Sequence, residues 1–289
     1  MDPQDPNHLL SLIGGRLYES KNGAISWVQR APGCLLTAWS IAINPVDSLE
    51  IAAVHSAMDA NNPCGNGVLL SLDGGQTWTN MGLEKADYFS TIKFLPITGN
   101  VLFVDPSGEL YRSDDHGNTW DKVSNEKLDG FIIDQSDEQR VYGTNYGNLF
   151  ISNNGGKSWT RKQNFTSDPI DYLSSPGNNL VFVSSPLTGI QISRDGGSTW
   201  TTANNGLGAD QLDIVPDPYH SGVLYAYKRN DAIWDETLFQ SVNGGQSWQI
   251  INSNGRGIAF DADGKTIYRA GGGNLLVSTD QGGTWREVP

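Results

Sequence analysis

Ser71-Leu72-Asp73-Gly74-Gly75-Gln76-Thr77-Trp78 is the stretch on which the reading of this chain turns. An acid, two glycines, a hydroxyl and an indole stand within eight positions, which by itself suggests a reactive site. The chain writes the pattern Ser-x-Asp/Asn-x-Gly-x-Ser/Thr-Trp again from Ser113, Ser152, Ser193, Ser241 and Ser278. A degenerate copy starts at Ser20, with Ala24 in place of the glycine. The copies recur roughly every forty residues, the period of a propeller or solenoid with one motif per unit.

Each copy sits between two short β-forming runs. GVLLS, GELYRS, GNLFIS, GIQIS, TLFQS and GNLLVS precede the intact copies, and WTNM, WDKV, WTRK, WTTA, WQII and WREV follow them. Runs of β-formers bounded by Gly read as strands, so the motif is the turn of a hairpin. Its Gly supplies a backbone shape that other residues resist. Its Asp or Asn and its Ser or Thr can bind nearby backbone N–H groups. Its Trp opens the outgoing strand and offers a large apolar face.

These copies resemble the Asp-box, or BNR, repeat of sialidases, xyloglucanase-type glycoside hydrolases, sortilin-type receptors and photosystem II assembly factors. The resemblance covers essentially the whole chain. It implies that the box is a folding element, remote from any ligand. The structural set is then Ser71, Asp73, Gly75 and Trp78, with Asp115 and Trp120, Asn154 and Trp159, Asp195 and Trp200, Asn243 and Trp248, and Asp280 and Trp285 in the later copies. Together the repeats predict an all-β protein, a single seven-bladed propeller of four-stranded antiparallel blades over residues 1–289.

The N-terminal MDPQDPNHLLSL matches an inter-strand turn and the second strand of a blade. Blade one is therefore expected to lack its innermost strand. Either the protein tolerates a three-stranded blade, or Met1 is an artificial start within a longer chain, the reading preferred here. No signal peptide is visible, but such a start would have removed one. The compartment is thus left open, with an exported one favoured.

The formal net charge of −13 argues against nucleic acid and anionic membrane partners, which want a basic face. No apolar run is long enough to span a membrane. Cys34 and Cys64 lack a C-x-x-C context. Their expected places, on loops at one face of blade two, would permit a disulfide. No metal or cofactor is expected: SDDHG and DADG lack the full calcium-loop spacing, and NNGGKSW lacks the first Gly of a phosphate loop. Asn164-Phe165-Thr166 is an N-glycosylation sequon.

Propellers present ligands on the face bearing the loops that enter strand one and those between strands two and three. Aligning the first strands brings Trp39, Ser90, Asp129, Ile170 with Asp171, Asp210 and Arg256 to that face. Two loops there are long, 55–67 and 227–236, and the second carries Trp234. Trp39 and Trp234 are candidates to stack on a ligand, while Asp129, Asp210 and Arg256 would orient it. The favoured function is a non-catalytic scaffold for a protein or glycan. The alternative is a glycoside hydrolase with a carboxylate pair drawn from Asp129, Asp171 and Asp210. A sialidase is disfavoured, because no arginine cluster with a Tyr–Glu pair is evident.

Overall fold

The computed structural model describes the chain apart from residues 1, 3, 6, 14–15, 24, 31–37, 56–66, 85–88, 107, 165–168, 208–211, 218, 221, 229–236, 253–255, 261–264, 272–273 and 289. Also outside the description are the side chains of 13, 39, 89–90, 102, 106, 163–164, 212, 228, 256, 270–271, 274 and 288. The protein is a seven-bladed β-propeller, each blade an antiparallel sheet. The strands fall into two compact units: residues 1–145 with 150–160, and 146–149 with 161–289.

In the first unit, blade one has three strands, β1 (Leu9–Ile13), β2 (Arg16–Ser20) and β3 (Val28–Arg30). The expected absence of an innermost strand is thus what the sheet shows. Blade two comprises β4 (Ala38–Ile43), β5 (Ile51–His55), β6 (Gly67–Ser71) and β7 (Thr79–Asn80). Blade three follows with β8 (Phe89–Phe94), β9 (Leu102–Pro106), β10 (Tyr111–Ser113) and β11 (Asp121–Lys122). Blade four holds β12 (Gly130–Ile133), β13 (Val141–Asn145), β14 (Asn148–Ser152) and β15 (Thr160–Asn164), the last lying mostly in the second unit.

The second unit continues with blade five: β16 (Tyr172–Gly177), β17 (Leu180–Ser185), β18 (Gly189–Ser193) and β19 (Thr201–Thr202). Blade six is β20 (Leu212–Pro216), β21 (Leu224–Lys228), β22 (Leu238–Ser241) and β23 (Gln249–Asn252). Blade seven is β24 (Arg256–Phe260), β25 (Ile267–Gly271), β26 (Asn274–Ser278) and β27 (Arg286–Val288).

The burial pattern explains why the strands read as they do. Every residue of β5 (IAAVH) and β6 (GVLLS) is buried. A middle strand sandwiched between two neighbouring sheets loses polar alternation and becomes a short continuous apolar run. Outer strands such as β7 and β11 are two residues long and polar. The core accordingly lies between sheets. Ala52, Val54, Val68 and Leu70 of blade two pack on Ile92, Phe94 and Val104 of blade three. In the second unit Phe182, Ile190 and Ile192 of blade five meet Ile214, Leu224 and Trp248 of blade six.

Candidate functional site

The residues of the box bond chiefly to one another. Ser71 Oγ donates to Asp73 Oδ1 at 2.8 Å and accepts the Gly75 N–H at 2.8 Å. Asp73 Oδ1 accepts the Gln76 and Thr77 N–H groups at 2.9 Å each, and Oδ2 accepts the Thr77 hydroxyl at 2.6 Å. The acid is therefore occupied by donors of its own turn. The Gly74 N–H reaches across to the Leu49 carbonyl at 2.9 Å, tying the box to the first inter-strand turn of its blade. Gly155, Gly196 and Gly244 do the same to Gln139, Asn179 and Gly222.

Two chemical versions of the box exist. Where the acid is Asp, the partner is Thr: Thr119 Oγ1 donates to Asp115 at 2.8 Å, Thr199 Oγ1 to Asp195 at 2.6 Å, and Thr284 Oγ1 to Asp280 at 2.7 Å. Where it is Asn, the partner is Ser and the bond reverses. Asn22, Asn154 and Asn243 donate Nδ2–H to Ser26, Ser158 and Ser247, each at 2.8 Å. The Thr77 hydroxyl and amide hold the Asp73 carboxyl down at about 2. The Thr284 amide and hydroxyl hold Asp280 at about 2. Asp195 and Asp115 lie below the usual carboxylate range for the same reason. A carboxylate bonded in this way is a poor proton donor or acceptor near neutrality.

The box tryptophans divide as well. Trp120 Nε1 donates to Met81 O, Trp159 to Val123 O and Trp248 to Ala203 O, each at 2.8 Å and each on the preceding blade. Trp78, Trp200 and Trp285 instead bond Gly75, Gly197 and Gly282 of their own boxes. The box works as a clasp within a blade and, through three indoles, between blades.

The loop-face candidates occupy the starts of inner strands. Trp39 is the second residue of β4, Ser90 the second of β8, and Asp129 immediately precedes β12. Asp129 and Asp171 are exposed. The Asp129 N–H donates to Thr144 O at 2.7 Å and the Asp171 N–H to Ser184 O at 3.0 Å, which fixes both backbones. Arg256 opens β24. Ile170 is buried and its N–H is bonded to Tyr146 O, so it is a packing residue. Asp210, Trp234, Cys34 and Cys64 lie outside the described residues, as do nearly all of loops 55–67 and 227–236.

Pairing register shows a feature that spacing could not. The register shifts between Ala38 and Ser40 in β4, between Phe89 and Ile92 in β8, and between Arg256 and Ala259 in β24. These three sit at the entry ends of inner strands, at or beside Trp39, Ser90 and Arg256, whereas β16 shifts register at its exit end, between Ser174 and Gly177, and β22 between Leu238 and Phe239. Bulges re-aim side chains and are enriched beside binding and catalytic sites.

Three of the four histidines, dispersed in sequence, stand against acidic partners. His8 Nδ1 stands 2.7 Å from Asp2 Oδ2, and its Nε2 stands 3.0 Å from Glu19 Oε1. Glu19 also accepts from Arg30 Nε at 2.8 Å. Arg30 lies beside Glu19 and, despite the cost of burial, holds its carboxyl below the usual range. His116 Nδ1 meets the buried Glu50 at 2.7 Å, and His220 Nδ1 meets Asp217 at 3.0 Å. His116 stands where most boxes have Gly, with φ at 56°, and bridges blade three to blade two. That substitution within the repeat was the one sequence signal for it. Among the described residues no cluster of three or more His, Cys, Asp or Glu is arranged to hold a metal.

No protein-family model matches the chain. Over 234 residues it is 26% identical to the photosystem II assembly lipoprotein Ycf48 of Synechococcus sp. (strain CC9902), covering 75% of this chain and 68% of that protein. Its fold superposes on the GH74 xyloglucanase of Xanthomonas campestris with a TM-score of 0.71 at 17% identity, over 98% of this chain. The chain spans 51% of that enzyme. With the structure of YCF48 bound to D1 peptide the TM-score is 0.65 at 18% identity, over 94% of this chain and 89% of the other. The fold is thus one shared by a glycan-cleaving enzyme and by a protein solved with a bound peptide.

Proposed function

We propose that the protein is a non-catalytic binding scaffold that takes a protein or glycan ligand on the face formed by the entry ends of its inner strands. The observation that carries this reading is the match in extent with the peptide-bound YCF48 structure, which runs across 94% of this chain and 89% of that one. Two further facts support it. The most chemically suggestive residues, those of the box, are engaged in bonds of their own turns. The bulges at the entry ends of β4, β8 and β24 give those backbones a local shape suited to presenting side chains. In this reading Trp39 and Trp234 supply apolar platforms, while Asp129, Asp210 and Arg256 orient the ligand.

The likeness to a GH74 xyloglucanase favours a second reading, glycan hydrolysis by a pair among Asp129, Asp171 and Asp210. One experiment separates the two. The purified protein is assayed for reducing-sugar release from xyloglucan and a panel of other polysaccharides, and for binding to the same glycans and to a peptide array. Binding without release, lost on Trp234→Ala, is the expected result. Release abolished by Asp129→Asn, Asp171→Asn or Asp210→Asn in a folded protein would replace the scaffold with the hydrolase.

A further inference from the structure

Strands β1, β4 and β8, with the turn after β12, line a second feature that runs along the inner strands to their exit ends. A cavity of about 530 Å³ is lined by Leu10 of β1, residues from Ser40 to Pro45, residues from Thr91 to Pro96, and Gln135. Pro45, Pro96 and Gln135 follow the exit ends of β4, β8 and β12. That is the box side, since the Gly74 N–H of the box bonds Leu49 O in the turn that follows β4.

Among the described lining residues one is charged, Lys93. Its Nζ donates to the Phe131 carbonyl at 3.1 Å and lies 5.3 Å from the Phe131 ring centroid. An ammonium has three donors, so a single acceptor leaves two for a ligand. Hydroxyls of Ser40 and Thr91 lie in the same wall, and the rest is largely apolar, with Leu10, Ile41, Ile43 and Phe94.

We propose that this cavity binds a carboxylate carried on an apolar body, with the Lys93 ammonium as its anchor and the Leu10, Ile41, Ile43 and Phe94 side chains receiving the hydrocarbon. With one ammonium that already faces the Asp105 carboxylate, a singly charged ligand fits better than a phosphate dianion. The class covers a free aliphatic acid and the C-terminus of a peptide. Burial pushes the Lys93 amine below the ordinary lysine value, and the Asp105 carboxylate offsets only part of that shift. An anion delivered to the cavity would restore the charged form. The proposal does not depend on the loop-face scaffold, because none of the loop-face candidates lines this cavity.

The test measures binding of hexanoate and of its neutral match, hexan-1-ol, by saturation-transfer NMR and calorimetry. Wild type is expected to favour hexanoate by about tenfold or more, the usual reach of a hydrogen bond to a charged group. Lys93→Met should abolish the preference and Lys93→Arg should keep it. A second arm compares N-acetyl-dileucine with its C-terminal amide; tighter binding of this acid than of hexanoate assigns a peptide terminus, and the reverse a free acid. Equal binding of hexanoate and hexanol to wild type, binding of neither, or a preference surviving in Lys93→Met overturns the proposal. If Lys93→Met does not fold, the wild-type preference and a hexanoate-dependent shift of the Lys93 side-chain ¹⁵N resonance decide it.

Discussion

Truncating Trp248 to Ala tests the claim that box tryptophans are wedges between blades. Trp248 is 7% exposed, sits among Phe182, Ile192, Ala203 and Leu224, and donates Nε1–H to Ala203 O at 2.8 Å. A buried aromatic hides about 150–250 Å², which at about 25 cal/mol per Å² gives about 4–6 kcal/mol. The unfolded chain already hides some of this area, which brings the expected loss to about 3–5 kcal/mol. Trp248→Phe keeps most of the apolar area but orphans the Ala203 carbonyl, and should cost about 1–3 kcal/mol. Trp78→Ala serves as the comparison. Trp78 is half-buried and bonds its own box, so its loss falls at the lower end, about 3 kcal/mol. Urea unfolding followed by far-UV circular dichroism measures all three, with stability taken from the midpoint and slope. A loss below about 1 kcal/mol for Trp248→Ala would refute the wedge. So would a Trp78→Ala variant less stable than Trp248→Ala.

Gly245 has φ at +87°, and a methyl there would run into Ile192 Cδ1, so Gly245→Ala should destabilise by about 2–4 kcal/mol in thermal or urea unfolding. Glu138 accepts the Ile97 and Thr98 N–H groups at 2.7 Å each, linking blade four to blade three. Glu138→Ala should cost about 1–2 kcal/mol and raise hydrogen exchange at those two amides. Asp73 and Asp280 have folded values near 2 against an ordinary 3.8, so their contribution is complete above pH 4 and disappears as pH falls through 2. Paired exchanges Asp73→Asn with Thr77→Ser and Asp280→Asn with Thr284→Ser should flatten acid unfolding over that interval. An unchanged acid profile would show that these boxes do not govern it.

The repeat made most of the architecture legible. Seven spaced turns each flanked by β-formers leave little but a propeller, and the apolar runs IAAVH and GVLLS mark strands buried on both faces. The incomplete first blade could also be read, because MDPQDPNHLL aligns with a later segment of the unit. What could not be read depends on contacts between units of the repeat. The pairing of Asp with Thr and Asn with Ser was visible as letters, but its cause is the direction of one hydrogen bond. His116 and Glu50 are far apart in sequence and meet only because adjacent blades stack. Nothing in the sequence singles out Lys93; its place as the one charge among the described residues lining a mostly apolar cavity arises because β1, β4, β8 and the turn after β12 converge. The bulges at Trp39 and Ser90 are not legible in the sequence, because an extra residue in one strand leaves no mark without its pairing partner.

The indoles of Trp120, Trp159 and Trp248 all reach backward, each satisfying a carbonyl on the blade made before it. During synthesis a chain grows from its N-terminus, and domains fold as they emerge. A blade whose outgoing strand has just left the ribosome still has an open acceptor and a bare apolar flank. Both are covered only when the Trp of the next repeat arrives, roughly forty residues later. Blades two, three and five are thus finished by their successors, which gives that part of assembly a direction and makes a pause in translation at the end of one of them a moment of exposure for the blade just completed.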